Sequence, residues 1–321
     1  MNTLQDVLCA LQKAERVAIF THLNPDGDAL GSSLAMRAAL LSAHKRVTVF
    51  LEKPAPERYG FLQPEYALEG NAADFDAALA LDCGSIDRLG TLQPLFSAIK
   101  KRLVVDHHES DAPFGDVYYT EPSAAACCEL VYSLIQGLCG GLPKETLAPL
   151  YTGLSTDTGH FKYSNVTPKT FRIAADLLEN GLEQRPITRA LYDTVKLEKL
   201  KFTGTLGERV QLFNNGTIAV LHCPDSLLES FHLLPEDMEE LPNTVLSIEG
   251  VQVSVVIKTK SEKQLKISLR CKENIDLAAL SSQFGGGGHK CAAGFVTSLS
   301  ASEITEQLVK VIEKQLEEMN V

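Results

Sequence analysis

Short apolar runs typical of β-strands alternate with helical patterns through the first half of the chain, and this alternation restricts the fold more than any other feature. The runs are RVAIF, RVTVFL, AALALD and RLVVD, and the longest helical patterns are ALGSSLAMRAALLSAH and SAAACCELVYSLIQGL. Strands that are connected through helices build βα units, whose strands lie parallel in one sheet. The sequence therefore predicts an α/β fold, with a mostly parallel sheet flanked by helices.

A different pattern in the second half predicts a smaller α+β domain. The segment RVQLFNNGTIAVLHC contains an Asn-Asn-Gly hairpin signal, and VQVSVVIKTKSEKQLKISLRCK alternates like a second hairpin. A helix DLAALSSQF, the loop GGGGHKCAAGF and a charged amphipathic helix complete this domain. The segment KLEKLKFTGTLGERV is charged and poor in large apolar residues, so we expect domains at residues 1–185 and 208–321, joined by a linker at 186–207.

Composition limits the classes of ligand and partner. With 321 residues, of which 45% are hydrophobic, the chain is long enough for two domains with cores of their own. No apolar run approaches the roughly 20 residues of a membrane-spanning helix, and the acidic start lacks the basic region of a signal peptide, so the expected location is the cytoplasm. A net charge of −11 argues against long duplex nucleic acid and anionic membranes, and leaves open a small phosphate-bearing ligand.

Acidic residues and histidines follow three of the predicted strands at the point where each strand ends. RVAIF leads into HLNPDGD, AALALD ends in an aspartate, and RLVVD continues into two histidines. A fourth cluster, STDTGHFKYSN, follows a helical pattern. In an open α/β sheet, ligands bind outside the carboxyl ends of the strands, so these side chains should converge. The candidate residues are His22, Asp26, Asp28, Asp82, Asp106, His107, His108 and Asp157.

Several carboxylates gathered in one place require a cation. Two unit charges about 5 Å apart repel by roughly 3 kcal/mol at an effective dielectric of about 20, and basic residues near these motifs are few. Carboxylates and imidazoles without cysteine favour Mn²⁺ over structural zinc, with Mg²⁺ as the alternative. The number of ligands allows two ions bridged by a carboxylate, which is the arrangement of a two-metal hydrolase.

Each motif also has a structural interpretation when it is considered alone. NPDGD is typical of a turn whose polar residues cap the next helix, and Asp82 could cap a helix in the same way. Their recurrence at the strand ends of one predicted sheet favours the metal site. His160 adjoins the fourth motif, and the sequence is equally compatible with a functional role and with a surface position for it. His44, His222 and His232 have no acidic or glycine-rich neighbours, so we interpret them as structural.

The glycine-rich stretch near the end of the chain is a candidate anion site. Four glycines precede a histidine and a lysine, and glycine lets backbone amides approach a phosphate, while a following helix would add its dipole. An arginine at the end of the preceding β run is a candidate second contact. A flexible turn and an exposed strand-end arginine are the structural alternatives. The expected substrate-binding residues are Arg270, Gly286, Gly287, Gly288 and His289.

Five motifs together carry a family resemblance. In this order, HLNPDGDALGS, ALDCG, VVDHH, STDTGHFKYSN and FGGGGHKCAAG resemble the DHH phosphoesterase superfamily with a C-terminal DHHA1 domain. Within it, the sequence is most similar to the nano-RNase and pAp phosphatase group, and the motifs span nearly the whole chain. The resemblance implies an exonuclease that degrades RNA oligonucleotides of a few residues to mononucleotides and converts 3′-phosphoadenosine 5′-phosphate (pAp) to AMP.

The resemblance also implies residue roles and partners. One Mn²⁺ would bind His22, Asp26 and Asp82, and the other would bind Asp28, Asp82, His107 and Asp157, with Asp82 as the bridge. Asp106 would support the site, and His108 would face the scissile phosphate. Arg270 and His289 of the DHHA1 domain would hold the rest of the nucleotide across a cleft, and a homodimer is suggested. The main alternative is a cyclic di-AMP or pApA phosphodiesterase of the same superfamily, and a non-catalytic nucleotide-binding regulatory module is a remote one.

Overall fold

Two compact units make up the structure, a computed structural model that describes residues 2–109, 113–238, 240–261, 263–272 and 275–319. The units comprise residues 1–194 and 195–321. The division falls inside the segment 186–207, for which the sequence predicts a linker. Most of this segment is helical, and Phe202 and Leu206 near its end are buried in a core of the second unit. Its few large apolar residues therefore have a specific packing role.

Five parallel strands form the sheet of the first unit, which confirms the predicted α/β fold. The strands are β1 (Arg16–Phe20), β2 (Arg46–Phe50), β3 (Ala77–Leu81), β4 (Lys101–Asp106) and β5 (Val117–Thr120). The helices are α1 (Leu4–Lys13), α2 (Gly27–Ser42), α3 (Gln93–Ala98), α4 (Cys127–Cys139), α5 (Lys144–Asp157), α6 (Pro168–Glu179) and α7 (Gln184–Thr188), followed by a π-helix at Arg189–Asp193. The spatial order β2-β1-β3-β4-β5 changes direction between β1 and β3, and a ligand crevice opens at such a point in α/β sheets.

Successive side chains of the strands enter two separate cores, one on each face of the sheet. Val17 and Ile19 of β1 pack in one core with residues of helices α1, α2, α4 and α5. Ala18 and Phe20 belong to the core on the other face, where the Phe20 and Phe50 rings stack with their centroids 5.3 Å apart. Burial on both faces is typical of parallel strands, and it explains why their polar residues occur only where the strands end.

A glycine allows helices α2 and α5 to pack at close range. A Cβ atom added at Gly153 of α5 would lie 2.6 Å from Asp28 Oδ1, and it would also overlap the sulfur of Cys128. Only a residue without a side chain therefore lets α5 approach the first turn of α2. This approach brings the carboxyl end of α5, where Asp157 lies, toward Asp28.

The second unit has a six-stranded sheet with helices on both faces, which confirms the predicted smaller α+β domain. Its strands are β6 (Gln211–Phe213), β7 (Ile218–Cys223), β8 (Val253–Ser261), β9 (Gln264–Cys271), β10 (Gly287–His289) and β11 (Ala292–Thr297), in the order β10-β11-β9-β8-β7-β6. Its helices are α8 (Leu197–Gly207), α9 (Asp225–Ser230), α10 (Leu241–Leu246), α11 (Leu277–Ser282) and α12 (Ala301–Met319). The pairs β6–β7 and β8–β9 are the two predicted hairpins, and β7–β8 is the parallel pair in this sheet.

The glycine-rich stretch forms a hairpin, so the expectation of a loop that leads into a helix is wrong. Strand β10 pairs antiparallel with β11, and the turn between them contains Lys290 and Cys291. Gly288 has a φ of 143°, and a Cβ atom there would lie 2.5 Å from the Ala292 carbonyl oxygen. The hairpin itself therefore requires glycine at this position. A helix dipole does not act on this stretch from its carboxyl side, because a strand follows it.

We expect Gly153→Ala to lower the free energy of unfolding by about 1–3 kcal/mol, because an extra methyl group must fit into a tightly packed contact. Urea denaturation followed by circular dichroism measures the change. Gly204→Ala in α8 is the matched control, because a Cβ atom there meets no atom within 4 Å. This control should raise stability by roughly 0.5–1 kcal/mol. Equal effects of the two substitutions would contradict the close contact at Gly153.

Candidate metal centre

Three adjacent strands of the first unit deliver the predicted polar residues to one edge of the sheet. β1 leads to His22, β3 leads to Asp82, and β4 ends at Asp106, which His107 follows. The neighbours β1 and β3 flank the point where the strand order changes direction, so the crevice predicted for ligands lies between their carboxyl ends. The convergence follows from the parallel topology, because parallel strands all end at the same edge.

A first group of ligand atoms lies between β1, α2 and β3. His22 Nε2 is 3.9 Å from Asp26 Oδ2 and 3.7 Å from Asp82 Oδ2. Asp26 caps the amino end of α2, where its Oδ1 accepts hydrogen bonds of 3.0 Å from the backbone N–H groups of Asp28 and Ala29. Its second oxygen is thereby turned toward His22. The cap predicted for NPDGD and the metal site predicted for it therefore use different oxygens of one carboxylate.

A second group surrounds His107. Its Nε2 lies 3.4 Å from Asp82 Oδ1, 3.5 Å from Asp157 Oδ2 and 3.9 Å from Asp28 Oδ2. Asp82 thus faces His22 with one oxygen and His107 with the other. The structure brings together all six residues that the sequence predicts as ligands, and it places Asp82 between the two groups.

Backbone carbonyls orient both imidazoles. His22 Nδ1 lies 2.8 Å from the Leu23 carbonyl oxygen, and His107 Nδ1 lies 3.2 Å from the Ala124 carbonyl oxygen. A carbonyl can only accept, so each Nδ1 carries a proton and donates it. The lone pair of each neutral ring therefore lies on Nε2, which points into the carboxylate cluster. This tautomer is the one that a metal-binding histidine needs.

Helix α4 holds Asp28 in place through its amino end. The carboxylate of Asp28 is almost fully buried and accepts hydrogen bonds from the backbone N–H groups of Cys127 and Cys128, at 2.5 Å and 3.0 Å. These are two of the N–H groups that have no partner within a helix, and the dipole of α4 favours negative charge there. The adjacent cysteines are buried, and their hydrogen bonds to the Asp28 carboxylate come from their backbone.

Asp82 adopts a conformation that is costly for most residues. Its φ is 55°, in the left-handed region that aspartate tolerates better than bulkier side chains do. Its Oδ1 is buried and has no hydrogen-bond partner within the described residues. A buried polar atom without a partner costs about 1–3 kcal/mol. The position therefore places a lone carboxylate oxygen at the centre of the cluster.

His108 lies beside the ligand groups, with its Nδ1 3.6 Å from Asp82 Oδ1, but it makes its hydrogen bond to a different carboxylate. Its Nδ1 lies 2.8 Å from Asp106 Oδ1, and this oxygen also accepts a hydrogen bond from the His107 backbone N–H. Asp106 is fully buried, whereas the His108 side chain keeps 30% of its surface exposed. The hydrogen bond to Asp106 raises the pKa of His108 and fixes its ring. Nε2 is left as the atom that can exchange a proton.

The negative charges of the cluster shift the pKa values of its members. Burial, with the charge of Asp82 added, raises the pKa of Asp28 to about 7, and burial together with Asp28 raises that of Asp157 to about 8. Burial disfavours the charged form of His107, but Asp82 and Asp28 outweigh it and raise its pKa to about 10. Burial would raise the pKa of Asp82, yet the adjacent imidazoles of His107 and His22 hold it below its ordinary range. In the metal-free state, the cluster therefore holds extra protons in place of a cation.

The donor set fits divalent cations that prefer oxygen and imidazole. Two ligands at right angles around an ion, each about 2.1 Å from it, lie roughly 3 Å apart. The distances of 3.4–3.9 Å between imidazole nitrogen and carboxylate oxygen are close to this spacing and too long for strong hydrogen bonds. Three groups of His and Asp residues have ligand atoms within 4.8 Å of one another. Cysteine is absent from these groups, which favours Mn²⁺ or Mg²⁺ over structural zinc.

A hydrogen-bonded group beside Asp157 was not predicted from the sequence. The Ser155 hydroxyl lies 3.0 Å from His160 Nδ1 and 3.0 Å from the Tyr192 hydroxyl. His160 and the neighbouring Phe161 both have left-handed backbone conformations, with φ near 60°. His160 is therefore part of a strained turn that follows the Asp157 helix, and no ligand group includes it. The acid and histidine pattern could not reveal Tyr192, which lies far along the chain.

The predicted anion-binding residues lie in the second unit. Arg270 is in β9, opposite Ala292 of β11, and its guanidinium donates to the Leu269 carbonyl oxygen. Gly287 and Gly288 are in β10, at one edge of the sheet, and Gly286 precedes them. The backbone of His289 ends β10, but its side chain lies outside the part of the chain that is described. Arg270 therefore lies close to the hairpin, because its strand β9 is paired with β11 and the hairpin strand β10 forms the edge of the sheet.

Matches to two family models identify the family to which the chain belongs. Residues 16–154 match the model for the DHH family, N-terminal domain, and residues 215–318 match the model for the DHHA1 domain. The chain belongs to the DHH family with a DHHA1 domain. The six candidate ligands of this DHH protein come from the strand-end motifs and from the end of α5, and all but Asp157 lie within the matched DHH region.

Relatives of this DHH protein are similar over nearly their whole length. The bifunctional oligoribonuclease and PAP phosphatase NrnA of Thermus thermophilus is 29% identical, over 99% of this chain and 94% of that protein. The protein of the same name from Bacillus subtilis is 27% identical, over 87% of this chain and 88% of that protein. A solved structure, an exopolyphosphatase-related protein from Bacteroides fragilis, has a TM-score of 0.86 at 26% identity, and the match covers 98% of this chain and 95% of that one.

We expect the metal-free protein to lose stability as the pH rises from about 5 to about 8. The folded-state pKa values of Asp28 and Asp157 are about 7 and 8, above the ordinary 3.8, so the folded state binds protons that the unfolded state has released. His107 also lowers stability as the pH rises above 6.5, because its pKa of about 10 lets the folded state keep a proton that the unfolded state releases. Each extra proton contributes a slope of about 1.4 kcal/mol per pH unit.

Urea denaturation at a series of pH values in EDTA measures this slope. Saturating Mn²⁺ should abolish it, because bound metal replaces the protons. The double variant Asp28→Asn/Asp157→Asn is the control and should show a flatter profile without metal. A metal-free protein that is equally stable at pH 5 and pH 8 would contradict the charge balance derived for the cluster.

Proposed function

We propose that this protein is a divalent-metal-dependent phosphoesterase that hydrolyses short single-stranded RNA oligonucleotides to mononucleotides and pAp to AMP. The observation that carries the proposal is the position of Asp82, whose two oxygens face two imidazole-carboxylate groups in a chain of the DHH family. The relatives named oligoribonuclease and PAP phosphatase, similar over nearly the full chain, support the choice of substrates.

Two divalent cations, most favourably Mn²⁺, would be held around Asp82. His22, Asp26 and Asp82 would hold one ion, and Asp82 would also hold the other together with Asp28, His107 and Asp157. When bound, the cations lower the pKa of an attacking water and neutralise charge on the phosphate oxygens. The chain supplies the orientation: carbonyls fix both imidazoles, and the amino end of α4 fixes Asp28.

His108 is the residue that would handle the proton of the leaving oxygen. Nδ1–H donates a hydrogen bond to Asp106, so the second ring proton sits on Nε2 when the imidazole is charged. The raised pKa of His108 keeps a larger share of the ring in this charged form near neutral pH. A donor in this state can protonate a departing alkoxide and can stabilise the negative charge that develops on the phosphate. Asp106 acts through His108 as a positioning residue.

The second unit would hold the part of the substrate that does not react. A guanidinium recognises phosphate through paired hydrogen bonds, and the backbone of the edge strand β10 offers further donors. The proposed contacts are Arg270, Gly286, Gly287, Gly288 and His289. An acidic chain with a net charge of −11 suits small anionic substrates at a built site better than long duplex nucleic acid.

The cytoplasm is the proposed location of this activity. None of the helices in the described residues is long and apolar enough to cross a membrane. All eight cysteines have free thiols, which suits a reducing compartment. We further propose a homodimer, which size-exclusion chromatography with light scattering would test.

A substrate panel tests the proposal directly. The purified protein with Mn²⁺ is incubated with RNA dinucleotides to pentanucleotides, a long RNA, pAp, pApA and cyclic di-AMP, and the products are resolved over time. We expect loss of the short RNAs to mononucleotides and release of phosphate from pAp. Preference for cyclic di-AMP or pApA would instead assign the protein to the phosphodiesterases of the same superfamily. Metal binding without turnover of any substrate would favour a regulatory module.

Two substitutions should separate metal binding from proton transfer. We expect Asp82→Asn to abolish turnover and the stabilisation by Mn²⁺, because it removes the charge that both ligand groups share. His108→Gln should lower kcat by about 10²–10⁴-fold and leave the Mn²⁺-induced shift in melting temperature intact. Steady-state kinetics and differential scanning fluorimetry measure these effects. His44→Gln, at an exposed position, is the control, and a fully active Asp82→Asn protein would refute the metal assignment.

Arg270→Gln tests the role of the second unit. We expect KM for pAp and for short RNA to rise about tenfold, because a charge-assisted hydrogen bond to phosphate contributes roughly 1.5–3 kcal/mol. The Mn²⁺-induced stabilisation should not change. Lys266→Gln on the same strand is the matched control. Equal KM values for the Arg270 variant and the unaltered protein would rule out the proposed phosphate contact.

A further inference from the structure

A groove in the first unit lies apart from the ligand groups of the metal centre. It has a volume of about 590 Å³ and runs between the 3₁₀-helix Glu57–Leu62 and the end of the unit, where α7 passes into the π-helix. Three arginines line it, Arg58, Arg185 and Arg189. We call this site the arginine groove. Its volume falls within the usual range of ligand sites in proteins.

Two of the arginines that line the groove, Arg185 and Arg189, have no carboxylate paired with them among the described residues. Arg185 and Arg189 are four residues apart on consecutive helical turns, a spacing at which like charges repel. Within the described residues, neither guanidinium has an ion pair, and Glu57 is the carboxylate among the lining residues. Such a gathering is notable in a chain with a net charge of −11. An anionic ligand would relieve the repulsion.

An exposed aromatic ring narrows the class of ligand. Phe61 lines the groove and keeps 36% of its surface exposed, although it is a large apolar side chain. The guanidinium of Arg58 lies 5.1 Å from the centre of the neighbouring Tyr59 ring. Exposed aromatic rings next to arginines are typical of proteins that bind single-stranded nucleic acids, in which the rings stack on bases and the arginines contact phosphates.

The π-helix connects the arginine groove with the metal centre. Arg189 and Ala190 line the groove, and Tyr192 of the same helix reaches the Ser155 hydroxyl on the last turn of α5. Asp157, a candidate ligand, ends that turn. π-Helical turns are rare and occur frequently at functional sites. One short segment therefore contacts both the groove and the helix that presents a metal ligand.

We propose that the arginine groove binds a nucleotide of a single-stranded RNA oligonucleotide beyond the ones held at the scissile bond. This inference rests on the proposed function, because it assigns the groove to the same substrate. Phosphates of the RNA contact Arg185 and Arg189, and a base stacks on Phe61. The groove consequently favours longer members of the short RNA class and makes no contact with pAp or a dinucleotide.

The double variant Arg185→Gln/Arg189→Gln tests the groove in the full-length protein with Mn²⁺. We expect KM for an RNA pentanucleotide to rise about 100-fold, at roughly tenfold for each lost phosphate contact, with kcat unchanged and with both constants unchanged for a dinucleotide and for pAp. The slope of log(kcat/KM) for the pentanucleotide against log salt should become shallower by about 1.4, at roughly 0.7 for each lost phosphate contact. Phe61→Leu should raise KM for the pentanucleotide alone.

The matched control is Arg46→Gln/Arg172→Gln, which removes the same charge from exposed positions of the first unit outside the groove. Unchanged pentanucleotide kinetics in the groove variant, equal losses for the dinucleotide, or equal losses in the control would each overturn the inference. Anisotropy of a labelled phosphorothioate pentanucleotide, which resists hydrolysis, reports binding independently of turnover. If the unaltered protein binds this probe tightly but does not hydrolyse the ordinary RNA pentanucleotide, the proposed function is refuted, and the binding difference between the variants still decides the groove.

Discussion

Electrostatic repulsion among the carboxylates around Asp82 is the constraint on which the first unit depends. Parallel strands and the close packing of α2 against α5 bring Asp26, Asp28, Asp82 and Asp157 together, and none of these groups would gather without compensation. Two imidazoles and the amino end of α4 supply part of it. The negative charge that remains is what the divalent cations of the proposed function would neutralise. The same charge that destabilises the cluster without metal would thus provide its affinity for cations.

Much of the site could be predicted from the sequence because the residues that follow parallel strands lie at the same edge of the sheet. Once RVAIF, AALALD and RLVVD are recognised as parallel strands, His22, Asp82 and His107 must lie at one edge of the sheet. The support of Asp28 by α4 could not be predicted in this way, because the two partners are 99 residues apart and the donors are backbone groups. The hydrogen bond between Ser155 and Tyr192 could not be predicted either, because a tyrosine at the end of a charged helical segment has no distinguishing sequence pattern.

Two segments of the second half show what composition cannot reveal. Glycine has no side chain from which an alternating pattern could be recognised, so the stretch of glycines predicts a loop, yet Gly287 and Gly288 form an edge strand. The segment 186–207 is charged and poor in large apolar residues, which predicts a linker. Two buried residues, Phe202 and Leu206, are enough to attach its last helix to a core. The average composition of a segment therefore does not reveal whether a few of its apolar residues pack into a core.

The left-handed backbone at Asp82 restricts how this position can vary. Glycine and asparagine accept such a backbone readily, but glycine has no carboxylate and asparagine has no charge. Glutamate keeps the charge, but its longer side chain would move the oxygens away from the two imidazoles. Of the twenty residues, aspartate is thus the one that combines the required main-chain shape with a short anionic group. A substitution at this position therefore loses either the backbone conformation or the short anionic group, so we expect position 82 to tolerate no other residue in an active protein.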